Sequence, residues 1–330
     1  MSSVLHVLGI ESTAHTFGCG IISSGGRVLS NIKSEYIPKS GGIHPREASQ
    51  FHATTAASVV HEALDAAGVR LSGLDAIAFS MGPGLGPCLR TGATIARTLA
   101  LEAGIPLIPV NHSLAHIEIG RMACHEDDPL VVYASGGNTI VSAYSDGKYR
   151  IFGETLDIAL GNCLDTFARA LELPHPGVPK LESLAAEGNR FISLPYVVKG
   201  QDVSYSGLLT MATRMIGKED PKDLSLSLLE VAYGMLSEVT ERALAHTEKP
   251  SMLLTGGVAR SKRLQGMLQS VCSEHSARFH VVPAELAGDN GAMIAWTGYL
   301  GLKEGQRVLV EERFIRPKWR LEDVEVPWRN

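Results

Sequence analysis

Two stretches of this chain share one order of short apolar runs and small polar turns. Residues 4–32 hold an apolar run, a small polar turn, a second run, a Gly-Gly turn and a third run; residues 130–153 repeat this order with an Asp-Gly turn. Such a pattern predicts β-hairpins joined into a meander. Because it occurs once near the start of each half, it predicts a duplicated, two-lobed fold, although the two lines differ residue by residue.

Helices and further strands are predicted after each meander. Helices are predicted over 46–68, 113–123, 224–247, 261–275 and 289–302. Strands are predicted over 105–111, 251–255 and 279–285, and the segment 74–104 is predicted to form a strand, a glycine loop and a long helix. Strands that alternate with helices indicate an α/β fold in both halves. The proline-rich stretch 174–206 is predicted to be an irregular loop with a function.

Composition narrows the class of protein. The chain has 330 residues, a net charge of −5 and five scattered cysteines without a CxxC pair. The N-terminus lacks the features of a secretory signal, and no apolar run approaches the roughly 20 residues that span a bilayer. These features predict a cytoplasmic protein with reduced thiols and no membrane partner. The acidic balance argues against a self-sufficient nucleic-acid binder.

Three glycine turns follow predicted strands, at residues 80–87, 135–139 and 255–259. Glycine lets backbone N–H groups approach an anion, and a following helix adds its positive end. One such turn is a weak signal, but three beside paired meanders favour a nucleotide site. None matches the P-loop pattern, and dinucleotide binding is poorly supported.

The stretch VNHSLAH places His112 and His116 one helical turn apart. Both rings would point from the same face and could share one cation, although such a pair is more often structural. Ser113 stands where zincin proteases carry the catalytic glutamate, which argues against a protease. Further ligands are expected at strand ends and helix caps, where Tyr133 and Asp289 lie.

The order of motifs along the chain resembles that of the TsaD/Kae/Qri family. The segments that carry the resemblance are GIESTAHTFGCGI, SGGIHPREASQFH, MGPGLGPCLRTGATIARTLA, VNHSLAHIEIG, YASGGNT, GNCLDTFARALELPHPGVPKLE, VSYSGLLT, TGGVARSKRL and AGDNGAMIAW. They cover nearly the whole chain, and two of them resemble the archaeal and eukaryotic branch, the catalytic subunit of the KEOPS complex.

The resemblance implies a fold and an activity. The fold is that of actin, Hsp70 and sugar kinases (ASKHA), with an N-terminal lobe of residues 1–126 and 295–330, a C-terminal lobe of residues 127–294, and the nucleotide and metal sites in the cleft between them. The reaction transfers a threonylcarbamoyl group from threonylcarbamoyl-AMP to N6 of the adenosine 3′ of the anticodon, in tRNAs that read ANN codons.

The resemblance also implies the site residues. The catalytic metal ligands are His112, His116, Tyr133 and Asp289. This donor set suits iron or zinc, and the phenolate favours iron. The residues expected to bind the adenine nucleotide, ATP or threonylcarbamoyl-AMP, are Tyr133, Ala134, Ser135, Gly136, Gly137, Asn138, Thr139, Asp165, Val178, Glu182, Gly256, Gly257 and Ser261. Glu11 and His15 are candidates for positioning the substrate, or else form a capped turn after the first strand.

Two positions depart from the family pattern. Val178 stands where a second glycine is usual, and Ser261 stands where asparagine is usual. Ser261 leaves one fewer amide donor beside the nucleotide, although its hydroxyl can still form a hydrogen bond.

The implied partners are tRNA, a small kinase and the other KEOPS subunits. Basic residues gather in two clusters, Arg260, Lys262 and Arg263 after the third glycine turn and Arg313, Arg316, Lys318 and Arg320 in the tail. Seven cations predict a weak, salt-sensitive contact with tRNA, so that partners supply most of the affinity. The alternative functions are an ASKHA-fold ATPase or kinase, a metalloprotease, and a non-catalytic scaffold.

Overall fold

The computed structural model describes residues 4–38, 41–174, 176–309 and 315–329. By its internal contacts the chain divides into two compact units. The first unit consists of residues 1–123, 146–148 and 289–330, and the second consists of residues 124–145 and 149–288. Asp289 therefore belongs to the first unit and Tyr133 to the second.

The first unit is built on a five-stranded sheet in the order β3-β2-β1-β4-β5. Its strands are β1 (His6–Glu11), β2 (Thr16–Ser23), β3 (Val28–Glu35), β4 (Ala76–Gly82) and β5 (Leu107–Asn111). The first three pair antiparallel, which confirms the predicted meander, whereas β4 and β5 add parallel to β1.

The α-helices that the described residues of the first unit form are α1 (Pro45–Ala67), α2 (Gly86–Ala103), α3 (His112–Cys124) and, near the end of the chain, α10 (Gly291–Lys303). Helix α1 ends at Ala67 and is capped by Gly68, which has a φ of 65°. Helix α10 lies directly against the sheet, because a Cβ atom at Gly20 would lie 2.4 Å from the backbone nitrogen of Ala292. Leu8, Ile10, Phe17 and Ile77 are fully buried in the apolar core of this unit.

The second unit contains a sheet of the same design, in the order β12-β11-β6-β7-β8. Its strands are β6 (Leu130–Ala134), β7 (Thr139–Ser145), β8 (Lys148–Glu154), β11 (Ser251–Thr255) and β12 (Arg278–Val281). Strand β6 pairs antiparallel with β7 and parallel with β11, as β1 does with β2 and β4. The predicted α/β fold with a duplicated meander is confirmed.

The helices of the second unit are α4 (Leu160–Ala170), α5 (Gly177–Ala185), α6 (Ser206–Met215), α7 (Pro221–Thr247), α8 (Lys262–Glu274) and α9 (Ala284–Ala287), and a short hairpin is formed by β9 (Val198–Lys199) and β10 (Asp202–Val203). The prediction of an irregular loop over 174–206 was wrong, because α5 and this hairpin lie within it. Pro176 and Pro179 stand at the cap and in the first turn of α5, where a helix needs no N–H donor. Among the described residues, no helix is both long and apolar enough to cross a membrane.

Candidate metal centre and nucleotide turn

Helix α3 presents the histidine pair at its first turn. It begins at His112, directly after β5, and the Leu114 N–H donates to Oδ1 of Asn111 over 3.0 Å, which caps the helix. The rings of His112 and His116 lie one turn apart, with centroids separated by 4.8 Å and planes at 83°. His116 is fully buried and His112 nearly so. The pair therefore lies inside the first unit.

Asp289 completes a group of three possible ligands. Its Oδ1 lies 3.2 Å from Nε2 of His116 and 3.6 Å from Nε2 of His112. One ligand atom from each residue lies within 4.8 Å of the others. The sequence predicted Asp289 at the cap of the last helix; in the structure Asn290 forms that cap by accepting from the Met293 N–H. This cap leaves the Asp289 carboxylate facing the histidines.

Glu11 orients His112. Its carboxylate is fully buried at the end of β1, and Oε2 lies 2.9 Å from Nδ1 of His112. Oε1 of the same group accepts the backbone N–H of Thr13 over 2.7 Å. A carboxylate on Nδ1 leaves Nε2 of the ring directed at Asp289. Histidines that bind metals characteristically give their second nitrogen to such a carboxylate.

The charges at this centre are tightly coupled. Burial alone would lower the pKa of His112, but the carboxylates of Glu11 and Asp289 outweigh it and raise that pKa to about 9. Burial dominates at His116 and lowers its pKa. Burial would raise the pKa of Asp289, yet the two imidazoles hold it well below its usual range. The Asp289 carboxylate is therefore kept ionised beside the two imidazoles.

The SGGNT turn connects β6 to β7 in the second unit. The hydroxyl of Ser135 accepts the backbone N–H groups of Gly137 (3.3 Å) and Asn138 (3.0 Å). A Cβ atom on Gly136 or Gly137 would meet no atom within 4 Å, so the outer face of the turn is open. The Ser135 hydroxyl therefore stabilises the turn, and its two glycines face open space.

Thr139 and the start of α4 hold this turn in place. The Leu160 N–H donates to the Thr139 hydroxyl over 2.8 Å, and the Gly161 N–H donates to the Ser135 carbonyl over 3.1 Å. Behind the turn, the Asn138 amide lies 3.4 Å from the Tyr133 hydroxyl. Tyr133 is buried at the end of β6, and its role as a metal ligand remains a prediction.

The third glycine turn lies beside the end of β6. Thr255 pairs with Tyr133 across the parallel strands β11 and β6. Gly256 has a φ of 94°, and a Cβ atom there would lie 2.3 Å from the carbonyl oxygen of Ala134, whereas Gly257 faces open space. The two glycine turns of the second unit therefore meet at the carboxyl ends of neighbouring strands, where α/β proteins bind ligands.

Glu182 and Ser261 share the neighbour Tyr233. The Tyr233 hydroxyl donates to Oε1 of Glu182 over 3.0 Å. Burial raises the pKa of Tyr233, and a hydrogen bond to Ser261 opposes this shift. Ser261 is buried and caps α8 by accepting the Leu264 N–H over 3.2 Å. The residue that replaces the usual asparagine therefore has a structural role.

Asp165 and Val178 lie on α4 and α5, which pack together. A Cβ atom on Gly177 would lie 3.4 Å from Oδ1 of Asp165 and 2.7 Å from the Ala168 side chain. Val178, which follows, packs partly buried against the core. The structure thus gathers the predicted nucleotide residues in the second unit, while their contact with a nucleotide remains a prediction.

The glycine turn at residues 82–85 has a packing role instead. A Cβ atom at Gly82 would lie 1.8 Å from the carbonyl oxygen of Arg316, and one at Gly84 would lie 2.7 Å from that of Thr13. Backbone atoms of Arg316 and Thr13 therefore occupy the space beside these two glycines. His15, predicted to position substrate, lies half-buried in the turn after β1, and that role remains a prediction.

The residues of the two predicted basic clusters differ in whether they form ion pairs and hydrogen bonds within the chain. Arg263 forms an ion pair with Glu230, and Arg260 donates to the Ala284 carbonyl. Arg316 and Lys318 line an open depression in the tail. Arg320 pairs with Glu322. Arg313 lies outside the described residues.

The sequence did not predict the contacts that Tyr233 and Gly161 make at the site. Tyr233 lies within α7 at helical spacing, where it is indistinguishable from a core aromatic. Gly161 opens α4, a helix whose buried positions Leu160, Cys163, Leu164, Phe167 and Ala168 follow the spacing of an amphipathic helix. That spacing could have revealed the helix, although not its contact with the SGGNT turn.

The fold belongs to a known class. Solved structures with the same fold include HypF of T. kodakarensis (TM-score 0.64, 17% identity, 91% of this chain and 48% of that chain). Another is the ROK hexokinase of Thermus thermophilus (TM-score 0.53, 17% identity, 91% and 100%). These neighbours define the two-sheet fold of the actin, Hsp70 and sugar-kinase class.

Within that class, sequence identifies the family. The family model for TsaD, described as tRNA N6-adenosine threonylcarbamoyltransferase, matches residues 27–296. A relative of that name from Thermofilum pendens is 55% identical over 328 residues, 99% of this chain and 98% of its own. A second, from Caldivirga maquilingensis, is 54% identical over 325 residues, 98% of both chains. The chain belongs to the TsaD family.

Proposed function

We propose that this chain is a tRNA N6-adenosine threonylcarbamoyltransferase. The observation that carries the proposal is the identity of 55% with a transferase of that name along nearly the whole of both chains. The three-ligand centre and the open glycine turns support the proposal, because such a transfer needs a held donor and a stabilised leaving group. The donor, as the family resemblance implies, is threonylcarbamoyl-AMP, and the acceptor is the adenosine 3′ of the anticodon in tRNAs reading ANN codons.

The reaction joins the N6 nitrogen of adenosine to the carbamoyl carbon of the donor. The bond between that carbon and the phosphate oxygen breaks, AMP leaves, and N6 loses a proton. An exocyclic adenine amine is a weak nucleophile, so the donor must be held and its leaving group stabilised.

The donor set of the first unit fits a metal ion. Two imidazole nitrogens and a carboxylate lie within reach of one ion, and Glu11 turns Nε2 of His112 toward it. When bound, the metal supplies Lewis-acid polarisation of a carbonyl or phosphate oxygen. We propose iron over zinc, with Tyr133 as the fourth ligand, on the family resemblance and the preference of iron for a phenolate.

The SGGNT turn supports binding of the adenine nucleotide. Gly136 and Gly137 face open space, so a phosphate can approach their backbone N–H groups without meeting a side chain. Such amides stabilise charge that develops on a departing phosphate. Asp165 and Glu182 are proposed to accept hydrogen bonds from the nucleoside.

Direct transfer, without a covalent enzyme intermediate, agrees with the state of the thiols. Burial raises the pKa of Cys163 to about 12 and that of Cys272 to about 11. Thiols with such values are protonated at neutral pH and are poor nucleophiles.

The small kinase and the other KEOPS subunits are proposed as partners, and the cytoplasm as the location. The net charge of −5 gives the chain a surface that on average repels RNA, so we expect weak tRNA binding by the isolated chain. A filter-binding titration at near-physiological salt measures this. Submicromolar affinity without partners would remove the need for them.

The alternative functions predict different products. A kinase or ATPase of this fold would release ADP without modifying tRNA. A metalloprotease would need a general base, yet the residue after His112 is the buried Ser113, and the nearby carboxylate of Glu11 is engaged. Incubation of the chain with metal, threonylcarbamoyl-AMP, tRNA, ATP and a peptide, followed by mass spectrometry of nucleosides, nucleotides and peptides, separates these. Threonylcarbamoyladenosine is expected; ADP release or peptide cleavage without it would refute the proposal.

A further inference from the structure

The tail of the chain forms an open depression on the first unit. It has a volume of about 640 Å³ and is lined by Arg316, Pro317, Lys318, Trp319 and Asp323. The Arg316 guanidinium carbon lies 5.0 Å from the centre of the Trp319 ring, which is cation–π distance. The depression is large enough to admit a nucleotide unit.

The Trp319 ring is anchored on the inner side. It packs with Ile315 against the apolar core of the first unit. Its indole N–H is buried and has no hydrogen-bond partner among the residues that the structure describes. The indole nitrogen is closed to solvent, so only the exposed part of the half-buried ring can meet a ligand.

Among the described residues, the lining of the depression carries two cations, Arg316 and Lys318, and one carboxylate, Asp323. Arg316 and Lys318 are exposed, and among the described residues Lys318 forms no ion pair. Asp323 offsets part of this charge. Two cations beside an aromatic face suit a phosphate and an unstacked base, because bases stack on aromatic rings and on guanidinium planes.

The tail is fastened to the elements that carry the metal ligands. The Asn111 amide donates to the Trp319 carbonyl over 3.1 Å, and Asn111 caps α3 one residue before His112. The Arg316 N–H donates to the Met81 carbonyl over 2.8 Å, and the Gly84 N–H to that of Pro317 over 3.1 Å. The glycine turn at 82–85 thus serves to hold the tail. These hydrogen bonds hold the depression in a defined position relative to His112.

We propose that Arg316, Lys318 and Trp319 form a docking platform for a nucleotide of the substrate tRNA. The base stacks on the paired Arg316 and Trp319, and Lys318 faces the adjoining phosphate. This inference rests on the proposed function, because it assigns a contact to the tRNA of that reaction.

The test compares tRNA binding by the full-length chain and two double variants. Arg316→Gln with Lys318→Gln removes both cations of the platform, and Arg70→Gln with Lys303→Gln removes two exposed cations elsewhere on the same unit. We expect the platform variant to bind tRNA at least tenfold more weakly. Its log–log salt slope should be shallower by about 0.8, since Lys318 is the cation placed at a phosphate and each lost phosphate contact reduces the slope by roughly 0.7 to 0.9. The control should stay within twofold of the parent chain.

Trp319→Leu and Trp319→Phe test the aromatic face. Leu should weaken tRNA binding at least fivefold, whereas Phe, which keeps a stacking face, should restore most of it. If Trp319→Leu does not fold, the exposed Lys318→Glu change takes its place and should weaken binding more than Lys303→Glu.

Equal tRNA affinity and salt slope for the platform variant and its control would overturn the inference, even if the parent chain makes threonylcarbamoyladenosine. Absence of that product from the parent chain would instead refute the proposed function, and the binding comparison would still decide the platform.

Discussion

The buried carboxylate of Glu11 lies 2.9 Å from Nδ1 of His112 and so determines which nitrogen of that ring faces Asp289. The contact joins the end of the first strand to the start of the helix that carries the histidine pair. A side chain predicted only to position substrate, or to cap a turn, therefore supports the candidate metal centre directly.

Changing Glu11 to glutamine should weaken metal binding by about 10- to 100-fold, because the amide cannot hold the His112 ring as a carboxylate does. Titration of the metal-free chain with Fe²⁺ and Zn²⁺ measures the change. Glu118→Gln is the matched control, since Glu118 is equally buried but pairs with Arg121 on α3. Metal affinity of Glu11→Gln equal to that of the parent chain would argue against this supporting role.

Removing both imidazoles should abolish stoichiometric metal. In His112→Ala with His116→Ala, a single carboxylate remains of the three clustered ligands, and we expect less than one tenth of a metal ion per chain by elemental analysis. The control is His44→Ala with His61→Ala, which removes two exposed histidines of the same unit. One bound metal per chain in the first variant would show that the ligand set is wrong.

Gly137→Val should abolish or strongly reduce ATP binding, because a branched side chain would stand where the SGGNT backbone must approach phosphate. The variant should fold, since a Cβ atom at this position meets no neighbour within 4 Å. Calorimetry measures the affinity, and Gly266→Val on the exposed face of α8 is the control. Unchanged ATP affinity for Gly137→Val would place the phosphates elsewhere.

Asp157 should make the stability of the second unit depend on pH. Burial would raise the pKa of this carboxyl, but hydrogen bonds from the Ser204 and Ser206 hydroxyls and from nearby backbone N–H groups hold it far below its usual range. A depressed pKa stabilises the folded state above the unfolded pKa, about 4, and this stabilisation fades as the pH falls below it.

The corresponding measurement is denaturant unfolding of Asp157→Asn. We expect the free energy of unfolding to be about 1 kcal/mol lower than that of the parent chain at pH 7, a modest value because Asp157 is largely exposed. The difference should shrink at pH 3. A difference that is the same at both values would contradict the assigned role of the carboxylate.

The sequence predicted those parts of the fold that follow from local periodicity. Both meanders and the helix predicted over 113–123, which begins at His112 in the structure, are local features, because their alternating burial and turn residues lie next to each other in the chain. Helix α5 was missed because Pro176 and Pro179 suggest a loop, whereas the structure uses them where a helix tolerates proline. Local pattern alone cannot distinguish these two uses.

Contacts across long separations were harder to predict. The spacing of His112 and His116 is visible in the chain, but the approach of Glu11 requires knowing that β1 lies near the start of α3. The tail offers a similar case, since nothing near Trp319 in the sequence indicates that Asn111 would hold it. Such contacts depend on the packing of the whole unit.

The formation of threonylcarbamoyladenosine tests the central claim most directly. The chain, its His112→Ala and His116→Ala double variant, and the His44→Ala and His61→Ala control are each incubated with metal, threonylcarbamoyl-AMP, tRNA and the partner subunits, and the tRNA is digested for mass spectrometry. We predict the modified nucleoside with the parent chain and the control, and less than one hundredth of that amount with the histidine double variant. Product at the parent level from the double variant, or none from the parent chain, would contradict this account.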